Sequence, residues 1–188
     1  MKYFTIILLT LSLTIGVFAS DINQDSSKAA AYKQPVLLTS VGQAADVLIL
    51  KGLSLRAGVK VMYRPQATAD SLSDCSTVLL VAGGSSKGLG AAKIDPDIEM
   101  KRIQVLVRAA KKAKIPILVY HIGGEARRGA LSDQFNKLAA EAGEQLIVVK
   151  SGDKDEFFMK TALKNKAEYI LIEKQIDVVG TLKKQFGL

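Results

Sequence analysis

"TVLLVAGG", residues 77 to 84, decides the fold. From Val78 to Ala82 it holds no polar side chain. A strand with one wet face alternates apolar and polar residues, whereas an unbroken aliphatic run marks a strand covered on both faces, as in a parallel sheet between helices. The closing glycine pair marks a turn out of the strand.

Outward from this run the same texture repeats. "PVLLTS" (35–40), "VKVMYR" (59–64), "IPILVYHI" (115–122), "EQLIVVK" (144–150) and "EYILIE" (168–173) are further strand candidates. Between the third and fourth lies the clearest helix, "DPDIEMKRIQVLVRAAKKAK". Asp95 is its expected N-cap, Pro96 its first residue, and Asp97 and Glu99 sit in the first turn, where the helix dipole favours acids. Ile103, Leu106, Val107, Ala110 and Ala113 recur at helical spacing, and Lys111, Lys112 and Lys114 close the basic end. Further helices are expected from near Gln43, Ser132, Asp155 and Gln175. "ADVLILKGL" (45–53) reads as a helix buried all round, and residues 65 to 76 hold room for a single turn. The alternation predicts one doubly wound, Rossmann- or flavodoxin-like α/β domain with a mostly parallel sheet of five to six strands, over residues 35 to 188.

Before this domain, "MKYFTIILLTLSLTIGVFAS" has a lysine at position 2, an apolar run and small residues at its end. That pattern is a secretory signal peptide, with Val17 and Ala19 at the two positions a signal peptidase reads. Cleavage is expected after Ala19 or one residue later, giving a periplasmic or secreted protein with no membrane insertion of its own. Residues 20 to 34 are polar and aperiodic and read as a disordered tether. Lone Cys75 has no partner for an intramolecular disulfide and is expected to be buried and inert.

The formal net charge of +8 falls by one when Lys2 leaves with the leader. Basic balance suggests anionic partners. Nucleic acid is a poor candidate, because the chain carries an export signal and its few aromatics mostly lie in apolar runs.

In a doubly wound sheet, ligands sit beyond the carboxyl ends of the strands. Ser40 and Gln43 follow the first strand; Gly83, Gly84, Ser85, Ser86, Lys87 and Gly88 follow the third; Lys150 follows the fifth. After the fourth comes "HIGGEARRG", with His121, Gly123, Gly124, Glu125, Arg127 and Arg128. Glycines let backbone N–H groups approach a ligand, and guanidinium and ammonium groups supply charge, so this edge suits a carboxylate, phosphate or sulfate. The expected function is an exported small-anion-binding module, with a membrane transporter or sensor as its expected partner. The alternatives are a hydrolase or transferase using His121 or Glu125 as acid or base, and a structural or protein-interaction domain.

Stronger chemistries fail on spacing. Gly88 is followed by Leu89 and Gly90, not by the Lys-Ser/Thr of a Walker A loop. "GGSSKGLG" looks like the cofactor loop of short-chain dehydrogenases, but it follows the third strand instead of the first, and no Tyr-x-x-x-Lys pair appears downstream. No cofactor is expected. With one histidine and a distant cysteine, no metal is expected either. A Ser-His-acid triad could draw on Ser40, Ser85 or Ser86 with Glu125, though no nucleophile elbow supports it.

"TSVGQ", "GGSSKGLGAAKID" and "HIGGEARRG...SD" together resemble an uncharacterised family of small secreted bacterial α/β proteins, a domain of unknown function, over roughly residues 35 to 186. The resemblance implies the fold and carries no activity with it.

Overall fold

The computed structural model describes residues 31–188. Six strands, β1 (Val36–Val41), β2 (Val61–Tyr63), β3 (Thr77–Ala82), β4 (Ile117–His121), β5 (Gln145–Val149) and β6 (Glu168–Ile172), form one sheet. Every pairing is parallel, in the order β2-β1-β3-β4-β5-β6. Every residue of β1, β3, β4 and β5 is buried, as their unbroken apolar runs required.

Among the described residues five helices lie between the strands, α1 (Asp46–Ala57), α2 (Ser86–Ala91), α3 (Pro96–Lys112), α4 (Ala130–Ala142) and α5 (Phe157–Asn165), and a sixth, α6 (Val178–Phe186), follows β6. Residues of α1 and α6 pack on one face of the sheet with Leu38, Leu79, Leu118 and Ile147. Those of α3, α4 and α5 pack on the other with Leu37, Leu80, Val119 and Val148. Neighbouring residues of a strand thus feed different cores, because successive side chains leave opposite faces. Helix α3 begins as its sequence dictates: Asp95 accepts a hydrogen bond from the Ile98 N–H at 2.8 Å, and Pro96 stands in the first turn.

Three expectations need correction. Helix α1 is not buried all round; Val47, Leu50 and Ala57 face the core, while Leu48, Ile49 and Leu55 face outward. A glycine-containing helix, α2, occupies residues expected to be loop, its start capped by Ser85, whose Oγ accepts from the Gly88 N–H. Cys75 is half-buried, not enclosed.

The leader expected at 1–19 and most of the tether expected at 20–34 lie outside the described residues. The last four tether positions lie within them, and three of these are docked. Tyr32 donates its N–H to Gln185 O, Lys33 O accepts from Thr77 Oγ1 at 2.7 Å, and Gln34 Oε1 accepts from the Lys60 N–H. The folded unit therefore starts no later than Tyr32.

The chain leaves β1 for β2 on one side, then crosses β1 to place β3 on its other side. This reversal opens the sheet between the carboxyl ends of β1 and β3, where such folds bind ligands.

Candidate functional site

At the reversal the chain supplies its own polar contents. Glu99, fully buried in the first turn of α3, accepts hydrogen bonds from the Gly42 N–H and Gln43 Nε2, both at 3.0 Å. Arg102, one turn on, grips the same carboxylate through Nε and Nη2. Its remaining donors reach Thr39 Oγ1, Ala67 O and Ser40 O. All five guanidinium N–H groups are thereby used, and the end of β1 is tied to α3. A charge this deep is tolerable only when so fully partnered. Glu99 is legible in sequence as an acid at the helix dipole, whereas Arg102 is not among the expected site residues; their i,i+3 spacing is the signal that links them.

The β3–α2 loop packs on this base. The Ser85 N–H donates to Gly42 O, and Ser132 of α4 accepts from the Gly84 N–H and donates to Gly84 O. A Cβ on Gly88 would lie 1.9 Å from Gln43 O, so this glycine serves a close packing contact. Of the glycines expected to let a ligand approach here, Gly84 and Gly88 contact protein.

Residues 124–127 form a 3-10 turn after β4 that turns Arg127 back across the edge. Its aliphatic stem lies over Gly83 and Gly123, where a Cβ would meet it at 3.1 and 2.2 Å. Two glycines expected to admit a ligand instead admit this arginine. At its end Nε donates to Asp46 Oδ2 at 2.5 Å. Asp46 opens α1, so its carboxylate, 7% exposed, sits on the positive end of the helix beside the guanidinium. Arg127 itself is 26% exposed. Among the described residues, neither its Nη1 nor its Nη2 has a hydrogen-bond partner.

Arg128 points elsewhere, and its expected role as an anion contact needs correction. Its guanidinium donates to Asp133, Gly152 O and both carboxylate oxygens of Asp155, all at 2.7–2.8 Å. It ties the β4–α4 turn to the β5–α5 loop and has little capacity left for a ligand. Asp155 is held down at about 2 by this partner, and Asp133 is also lowered, with the Arg128 and Asn136 hydrogen bonds outweighing its burial.

His121 is fully buried, stacked 4.5 Å from the Phe158 ring, with Nδ1 3.2 Å from Ala82 O. That carbonyl selects the Nδ1–H tautomer and leaves Nε2 bare. Burial pushes its pKa below the ordinary histidine range, and the nearby Arg128 charge adds to the shift, so the ring is neutral. Among the described residues Nε2 has no partner, and it lies under Gly152, where a Cβ would be 2.5 Å away. Among the described residues no serine or acid pairs with it, so the imagined triad is not assembled.

Glu125 is exposed, and Lys154, 2.6 Å away, holds its carboxyl below the usual range. It is ionised at neutral pH and makes a poor proton donor. Lys150 pairs with Glu173 at 2.9 Å. Ser40 is buried with its Oγ unpartnered, Ser86 is half-buried, and Lys87 is exposed without an ion pair among the described residues. The edge expected from sequence is thus brought together, but most of its charge is neutralised internally. Of the two arginines after β4, Arg127 is the one that keeps a fork with open donors among the described residues.

A family model described as Domain of unknown function (DUF6305) matches residues 33–186, and the chain belongs to that family. No curated protein matches it. Among solved structures, a GDSL-like lipase from Bacteroides thetaiotaomicron VPI-5482 is 13% identical, with 75% of this chain and 72% of that one covered and a TM-score of 0.36. A point mutant of the esterase AlinE4 is 10% identical, with 78% of each chain covered and a TM-score of 0.31. An archaeal fructose 1,6-bisphosphate aldolase is 14% identical, with 83% and 94% covered and a TM-score of 0.27. No helix among the described residues is long and apolar enough to cross a membrane.

Proposed function

We propose that this family member is a binding module for a small carboxylate or oxyanion, held at the carboxyl edge of the sheet by Arg127. One observation carries the reading. Asp46 fixes Nε, while Nη1 and Nη2, in a side chain only 26% exposed, have no partner among the described residues. A guanidinium oriented through Nε offers its two Nη groups end-on, a geometry that matches the paired oxygens of a carboxylate, phosphate or sulfate. Asp46 acts here as a positioning residue, and Lys87, on the neighbouring α2, adds positive charge at the same edge.

Binding without turnover is the better-supported half of the choice. A hydrolase or transferase needs a proton-transfer group within reach of its substrate. His121 Nε2 is enclosed beneath Gly152 and Glu125 is kept ionised by Lys154. The first cannot reach a substrate, and the second, as an ionised carboxylate tied to Lys154, has no proton to donate. Export and service to a transporter or sensor belong to the same proposal and rest on the leader pattern of residues 1–19 and the basic charge.

The test is a thermal-shift and native mass-spectrometry screen with acetate, citrate, phosphate and sulfate. An anion at a hundredfold excess over its Kd stabilises by about 2.7 kcal/mol. Arg127→Ala removes the fork and one positive charge, and should weaken the best anion by roughly tenfold or more. Lys111→Ala with Lys112→Ala, at the far end of α3, is the control for net charge. Equal losses in both proteins would reduce the effect to net charge, and no stabilisation by any anion would end the proposal.

A further inference from the structure

Helix α1 turns three large aliphatic side chains to solvent: Leu48 at 55% exposure, Ile49 at 40% and Leu55 at 80%. Single exposed leucines are ordinary, but three on one short helix call for a cover. Leu48 and Leu55 stand seven positions apart, on one side of the helix, with Gly52 between them. Together with Val61 of the edge strand β2 they line a groove of about 590 Å³ that runs between α1 and the start of β2.

The charge around the groove says what covers it. Lys51 and Lys60 line it and Arg56 follows Leu55 in the chain, all exposed, while no acidic side chain lines it. Three exposed lysines elsewhere stand beside an acid, Lys150 with Glu173, Lys154 with Glu125 and Lys160 with Glu156, whereas the cations at the groove have no acid among the residues that line it. Among the described residues none of Lys51, Arg56 and Lys60 is ion-paired. The Lys51 ammonium lies 4.7 Å over the Tyr63 ring, which holds it at the rim. A second copy of this groove would set these cations against their like. A flat lipid surface fits a concave groove poorly.

From this juxtaposition of bare aliphatic side chains and unpaired cations, we propose that the α1–β2 groove docks a segment of a partner protein that presents aliphatic side chains flanked by Asp or Glu. The aliphatic groups fill the space between Leu48, Leu55 and Val61, and the acids meet Lys51, Arg56 and Lys60. The surface is separate from the Arg127 site, so either proposal can fail alone.

The experiment uses two fluorescent synthetic amphipathic helices, one with Leu on one face and Glu on the other, the second with Lys in place of Glu. Fluorescence anisotropy with the purified protein should show saturable binding of the acidic helix that weakens as salt rises, and none of the basic one. Replacing Leu48→Ser and Leu55→Ser together should weaken the acidic helix by about tenfold or more. Replacing Lys51→Glu and Lys60→Glu should reverse the preference. All four positions are exposed, so an unchanged unfolding midpoint separates lost docking from lost folding. Absence of saturable binding by the acidic helix, or equal binding of both helices, overturns the proposal. So does association with phosphatidylglycerol vesicles, or dimerisation by light scattering, that disappears with the leucine replacements while acidic-helix binding does not.

Discussion

Arg127 and Asp46 meet at 2.5 Å across 81 positions of sequence, joining the turn after β4 to the first residue of α1. The contact closes the reversal of the sheet with a charge pair and orients the guanidinium. Removing either partner leaves the other in a largely buried setting.

A double-mutant cycle with Asp46→Asn and Arg127→Gln should give a coupling energy of about 1–3 kcal/mol in denaturant unfolding. Arg127→Gln should be the costlier single change, because it leaves the 7% exposed Asp46 carboxylate without its cation. A coupling near zero would show that the pair contributes no net attraction.

Arg128→Ala should destabilise the protein without affecting anion binding, since its donors serve Asp133, Asp155 and Gly152 O. Asp133 and Asp155 have folded pKa values below their ordinary 3.8, Asp155 at about 2. Their contribution is present above pH 4 or so and is lost as pH falls through the folded values. Unfolding midpoints followed from pH 5 to pH 2 should therefore drop more steeply in the native protein than in Arg128→Ala. Parallel curves would contradict the assignment.

His121 is the only histidine, so its imidazole signals can be assigned without ambiguity in a protein free of added histidines. Followed by NMR, they should titrate below the ordinary value of 6.5 because burial opposes the charged ring. The unfolded chain then binds more protons below pH 6.5, so stability is complete above that pH and declines as pH falls towards the folded value. A normal titration would mean that the ring reaches water.

Cys75, half-buried, donates its thiol to Leu72 O, and burial followed by the neighbouring Asp74 charge raises its pKa. Its reaction with a thiol reagent at pH 8 should be several-fold slower than in the unfolded chain, yet still proceed in the native protein. Labelling as fast as in urea would show an open thiol.

A chain beginning at Ala31 should unfold at a higher temperature than one beginning at Pro35. The shorter chain loses the Tyr32 and Lys33 hydrogen bonds, the Gln34 amide on Lys60 and the Tyr32 ring beside Phe186. A loss of 1–2 kcal/mol lowers the midpoint by about 2–8 °C in a protein of this size. Equal midpoints would mean that these contacts add nothing.

The architecture was legible in the sequence because burial on both faces leaves a local mark. Val78–Ala82 and Ile117–Tyr120 can be unbroken apolar runs only where water reaches neither side, and Asp95-Pro96 starts a helix wherever it stands. The loops at the carboxyl edge were legible for the same reason, since they follow from where each run stops. The partner of each charge was not. Arg127 and Arg128 are adjacent in sequence and alike in chemistry, yet one reaches Asp46 and the other Asp133 and Asp155. Gly83 and Gly123 could equally have opened space for a ligand or for a side chain. Those choices depend on strand order, which brings residues dozens of positions apart within 3 Å, and a hydrogen bond is decided within tenths of an ångström. Sequence determined that cations and glycines gather at one edge; the tertiary structure decided which of the two adjacent arginines keeps donors to offer.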